Sequence, residues 1–168
     1  MPILFLLMAL VFALQSVSMI QGDLSRNVEL RRSAALAESM GGQHTAALRY
    51  LTDARPIQCD LDATWRMDSS AFLPQALRQG GFARRIVSLC NKSGVATALL
   101  KAAATETGSV NVRERLTTLF GDASLIGKVT DLNGEVTMQT GEVRNEFRTA
   151  IAQLGLSLDD PVILTLWD

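Results

Sequence analysis

Charge is missing from the front of this chain. Met1 to Gly22, MPILFLLMALVFALQSVSMIQG, contains no Asp, Glu, Lys or Arg. Histidine occurs once, cysteine twice, and aromatics make up only 5% of the 168 residues. The net charge is −1. Each scarcity excludes something. A near-neutral chain carries no electrostatic footprint for nucleic acid, and so few aromatics make no base-stacking platform. No cluster of Cys, His or carboxylate stands at metal-ligand spacing. Gly121, Gly127 and Gly134 lack the spacing and the lysine of a phosphate-binding loop. No metal, cofactor, nucleic acid or small-molecule substrate is therefore expected. Low-complexity tracts and internal repeats are absent too.

The few chemically active residues read as structural. His44 sits among small residues and is expected on a packed or solvated helix face, not as the base of a Ser–His–Asp or Cys–His arrangement. Asp159-Asp160 precede Pro161 and suit a turn better than an acid–base pair. Arg84-Arg85 lie on adjacent positions of a predicted strand, so they point to opposite faces and suit a solvated edge better than a phosphate clamp. The expectation is a non-enzymatic structural or assembly protein.

What is present begins with the apolar front. A bilayer core about 30 Å thick needs roughly 20 apolar residues at about 1.5 Å rise each. Met1 to Leu14 alone is too short, and Gln15 to Gln21 extends it to the required length. A cleaved secretory signal is the competing reading, with Ser16-Val17-Ser18 as its small-residue site. No Lys or Arg precedes the apolar core, which favours a retained anchor. Arg26, Arg31 and Arg32 follow the span and, taken alone, would leave the body in the cytoplasm. Asp23 and Glu29 lie among them and dilute that signal.

The remainder is read as an amphipathic helix over 23–55 and an α+β domain over 56–168, behind a transmembrane anchor over 1–22. Leu30, Ser33, Ala37, Met40, His44, Ala47, Leu51 and Ala54 recur at three- and four-residue steps, which makes one helical stripe. Gly41-Gly42 predicts a bend, and Arg55-Pro56 an end. Ala34, Ala35, Ala37, Gly41 and Gly42 are the candidate residues for close helix approach, since small side chains let backbones come near.

Asp60, Asp62, Asp68, Ser69-Ser70 and Pro74 predict turns, with Trp65 and Phe72 over the core edge and Gly80-Gly81 as a closing turn. Phe82 to Cys90 reads as a strand. Asn91-Lys92-Ser93-Gly94 turns the chain into a predicted helix over 95–107, capped by Ser93 and stopped by Gly108. A short helix follows over 111–120. Asn133-Gly134 predicts a type I′ hairpin in which Val129 faces Met138 and Asp131 faces Val136, with Leu125, Val129, Val136 and Met138 on one face. A helix carrying Val143, Phe147, Ile151 and Leu154 and a final strand from Pro161 complete the list. The fold class is α+β: a long N-terminal helix, then a small domain with an antiparallel sheet and short helices.

Cys59 and Cys90 either pair or form two separate buried thiols. Two cysteines in an exported domain of this size commonly pair. A bridge would place the domain in an oxidising compartment, which outweighs the arginine argument for orientation.

The long apolar-to-amphipathic helix before a small disulfide-bearing α+β domain resembles type IV pilins and pilin-like proteins. Phe5 stands where polymerising pilins carry a glutamate near the cleavage site. In outline the chain is most similar to the PilM-type thin-pilus biogenesis proteins of conjugative plasmids. The similar stretches are ALAESMGGQHTAALRYLTDARP (Ala35 to Pro56), ALLKAAATETG (Ala98 to Gly108) and SLIGKVTDLNGEV (Ser124 to Val136). Together they cover under half of the chain, with Arg113 to Asp122 inserted relative to that outline. The resemblance implies a single-pass bacterial inner-membrane protein with its soluble domain in the periplasm, without enzymatic activity. Its partners would be the lipid bilayer and subunits of a pilus or secretion system. Two alternatives remain: a minor pilin incorporated into the filament after leader removal, and a secreted binding or inhibitor domain released near Ser18.

Overall fold

The computed structural model describes the backbone of residues 2–54, 56–79, 82–100 and 109–167, and the side chains of these from 24 onward, except 83, 109 and 110. The predicted turn at Gly80-Gly81 and the predicted helical stretch over 101–107 lie outside the described residues. So do the side chains of the expected anchor over 1–22. Among the described residues no helix is long and apolar enough to cross a membrane.

Helix α1 runs over Pro2–Ala54 as one element, unbroken at Gly41-Gly42. The chain divides into two units, 1–32 and 33–168. In the first unit Leu24 and Val28, one helical turn apart, are exposed. The rest of the fold belongs to the second unit.

That unit is built on one seven-stranded sheet, antiparallel at every pairing. Its strands are β1 (Trp65–Met67), β2 (Ile86–Asn91), β3 (Gly94–Leu99), β4 (Ile126–Val129), β5 (Val136–Met138), β6 (Val143–Arg144) and β7 (Pro161–Leu166). The spatial order is β1-β2-β3-β7-β4-β5-β6. Short helices α2 (Gln75–Arg78), α3 (Ser109–Phe120) and α4 (Arg148–Leu154) complete it. The α+β class is therefore as the sequence indicates: a long helix, an antiparallel sheet and short helices.

Three local expectations need correction. The segment after Gly94, predicted helical from Val95, is strand β3 over its described part. Lys92-Ser93 is a two-residue connection between Asn91 and Gly94, which are paired in the ladder. Ser93 therefore sits in a β-hairpin and caps no helix. Its N–H donates to Asn91 Oδ1 at 2.9 Å, and Asn91 Nδ2 donates to the Glu146 carbonyl at 3.0 Å. At Gly94 φ is +151°, and an added Cβ would strike the Thr165 carbonyl of β7. Glycine is required by that close approach.

The second correction concerns the β4–β5 hairpin. Val129 pairs with Val136 and Gly127 with Met138, two residues away from the predicted register. The turn is not type I′, because Asn133 keeps a negative φ and only Gly134 is positive, at +86°. Asp131 organises the loop instead: its carbonyl accepts from Gly134 N–H at 3.2 Å and its Oδ1 from Glu135 N–H at 2.8 Å. Side chains alternate with period two, so a two-residue slip preserves the faces. Val129, Val136 and Met138 are buried together as expected, while Leu125 lies in a short 3-10 turn.

The third is at the edges of elements. Phe82 belongs to the turn before a 3-10 stretch over Ala83–Arg85, so Arg84 and Arg85 are not strand residues. Val143 is exposed in the two-residue strand β6, and helix α4 starts only at Arg148. The last helix does end at Gly155, in the left-handed conformation.

The core lies on both faces of the sheet. Strands β2 and β3 are buried at every residue. Ser88, Thr97 and Thr165 share one face by register, and His44 of α1 bonds to two of them. Val87, Ala96, Leu164 and Met138 share the other face by register, within one buried cluster that includes Phe147 and Ile151. The predicted α1 stripe is the buried one from Ser33 to Ala47, whereas Leu30 and Ala54 are exposed.

Candidate functional site

The small residues of α1 divide by face. Ala37 is fully buried, Ala34 is half-buried and Ala35 is exposed. At Gly41 an added Cβ would lie 3.5 Å from the Phe120 ring of α3. At Gly42 it would collide with the Leu77 side chain of α2. The two glycines thus set how closely α3 and α2 side chains lie against α1 within the domain. Ala35 is the one member of the set turned to the outside.

Cys59 and Cys90 form a disulfide with Cα atoms 5.1 Å apart. Cys59 comes from a 3-10 turn over Ile57–Asp60, and Cys90 from β2. The bridge ties the connection after α1 to the sheet, beside Ala47, Met67 and Val95. Backbone supports it: Lys92 N–H donates to the Leu61 carbonyl at 2.9 Å.

His44 is fully buried. Its Nδ1 lies 3.0 Å from Thr97 Oγ1 and its Nε2 2.8 Å from Thr165 Oγ1. Thr97 Oγ1 lies 3.0 Å from Ser88 Oγ. One ring nitrogen donates and the other accepts, so the neutral ring is satisfied by two hydroxyls. The Phe120 ring packs edge-on, 6.0 Å between centroids. Burial without a counter-charge lowers the His44 pKa to about 4. This is the arrangement of a packed histidine: the imidazole links α1 to the centre of the sheet.

Asp159 and Asp160 form the expected turn. Asp159 has φ +68° and accepts from Lys128 Nζ at 2.6 Å, which holds its carboxyl below the usual range. Asp160 accepts from Ser157 N–H at 2.6 Å, while burial pushes its carboxyl up. Each carboxylate is committed to its own loop contact. Among the described residues no group of three His, Cys, Asp or Glu could hold a metal ion.

One grouping escapes any reading by spacing. Arg66, Arg78 and Arg84 come from a strand, a helix and a turn, and they meet at one cavity. Only Arg84 stands out in the sequence, through its neighbour Arg85, and there it suggests a solvated edge.

These features define an α+β domain with a long helix on a disulfide-tied antiparallel sheet. No family model, curated protein or solved structure matches the chain.

Proposed function

We propose that this chain is a non-enzymatic, membrane-anchored component of type IV-like thin-pilus assembly or of a related secretion machine. The observation that carries the reading is the continuity of α1. Its front is an uncharged apolar run, and its second half is buried against the sheet without a break. An uncharged apolar run of this length ahead of a folded domain suits a membrane anchor. The disulfide supports a periplasmic location, because such bridges persist in oxidising compartments. The pilin-like outline supplies the partner class: helices of other subunits against the anchor, and neighbouring subunits against the sheet domain. Ala35 is the exposed small residue available for a close helix contact.

Fractionation tests the reading. The full chain is expected in the membrane fraction after alkaline carbonate washing, and its domain is expected to be digested by protease added to spheroplasts. Recovery of the intact chain, first 22 residues included, from the aqueous fraction would overturn it. Presence in purified filaments selects the minor-pilin form, and a mature N-terminus near Met19 selects the secreted binder.

A further inference from the structure

The cavity gathering Arg66, Arg78 and Arg84 has a volume of about 460 Å³, within the ordinary range for small-ligand sites. Its charge is lopsided. Three arginines and one acidic residue, Asp68, line it, and Asp68 Oδ1 already accepts from Ser70 N–H at 3.1 Å. Arg78 is fixed by donating Nη2 to the carbonyls of Ala71 (3.1 Å) and Leu73 (2.9 Å). Among the described residues neither Arg66 nor Arg84 has an ion-pair partner. Cations gathered without anions repel one another, and an incoming anion relieves that repulsion. Guanidinium groups match carboxylate geometry bidentately, as they do phosphate, and an apolar neighbourhood favours the carboxylate of an organic acid.

The other walls specify what accompanies the anion. Leu73, Ile86 and Val87 give an apolar lining. Strand β1 stops at Met67, which pairs with Ser88, whereas β2 starts two residues earlier at Ile86. Ile86 and Val87 therefore have a strand partner only on the β3 side. Backbone N–H and C=O groups alternate in direction along a strand, so of the two it is Ile86 whose main chain faces the side without a strand, beside the arginines; an extended peptide pairs with such an edge through its main chain.

We propose that this cavity binds an organic carboxylate with an apolar body, in the form of the C-terminal residue of a partner polypeptide. The carboxylate sits between Arg66 and Arg84, the apolar side chain against Leu73 and Ile86, and the preceding main chain beside the unpaired edge of β2 at Ile86. The proposal stands independently of the membrane anchor.

The test is calorimetric titration of the detergent-solubilised full chain. The probes are an eight-residue peptide ending in leucine, with a free or amidated C-terminus, and N-acetyl-leucine. The free acid is expected to bind one to one, and amidation to weaken it at least tenfold. Arg66→Gln and Arg84→Gln each weaken the acid about tenfold without moving the melting temperature. Binding of N-acetyl-leucine as tight as that of the peptide assigns the site to a free small acid. Equal binding of acid and amide overturns the proposal, as does no binding at millimolar peptide or undiminished binding to the double variant. If a variant fails to fold, the acid–amide comparison on the unaltered chain still decides.

Discussion

At the scale of single residues, His44 carries the clearest pH dependence. The unfolded chain takes up its proton near pH 6.5, the folded chain only near 4. Between those values the unfolded state binds more protons, so stability rises with pH. The contribution is fully present above pH 6.5 and is lost as pH falls towards 4, about 3 kcal/mol in all. Asp160 acts in the opposite sense, since a carboxyl raised by burial loses stability as pH rises through its folded value. Urea unfolding at pH 7.0 and 4.5 of the original chain and of His44→Gln separates the two, because Asp160 is common to both. The variant is expected to lose most of the histidine-linked difference, and to be less stable at pH 7.0 because Thr97 and Thr165 lose partners. Gly41 gives a prediction of the other sign. A Cβ there meets the Phe120 ring at ordinary van der Waals distance. Gly41→Ala is expected to stabilise the fold by about 0.5–1 kcal/mol in urea unfolding, through helix propensity.

At the scale of elements, the disulfide is the strongest constraint on the stretch between α1 and β1. Closing a loop with a separation of 31 residues contributes about 3–4 kcal/mol by the chain-entropy argument. The double variant Cys59→Ala/Cys90→Ala is expected to melt at a lower temperature. Hydrogen exchange should rise first over Ile57–Met67, because β1 is short and, among the described residues, pairs only with β2. The elements also show how far a sequence can be read. Helix α1 and its buried stripe were legible because the three- and four-residue spacing persists from Ser33 to Ala47. Helix α3 and strand β7 were legible from their flanking glycine and proline. Strand β3 was not. It is covered on both faces, so Val95 to Leu99 shows no alternation, and a short apolar run with alanines fits a helix equally well. The β4–β5 turn was misread because Asn133-Gly134 is a strong local preference, while the Asp131 carboxylate two residues earlier bonds Glu135 and shapes the loop. The arginine cavity was illegible, since three separate elements supply it and no linear spacing links them.

At the scale of the whole molecule, the division at Arg32 separates what holds the fold from what precedes it. Among the described side chains of α1 the buried ones begin at Ser33. A chain started at Leu24 is therefore expected to keep the melting temperature of the full chain within a few degrees, measured by circular dichroism. A chain started at Thr45 loses Leu36, Met40 and His44 from the core and is expected not to fold. The sheet order has a further consequence for how the domain comes into being. Strand β7 follows the other six in the chain, yet it lies between β3 and β4 and, among the described strands, is the sole bridge joining two three-stranded halves. A polypeptide leaving the ribosome or threading through a translocation pore front end first presents both halves before their keystone. Closure of the sheet therefore waits for the last strand to be made, and the two halves stay unjoined until nearly the whole chain is present.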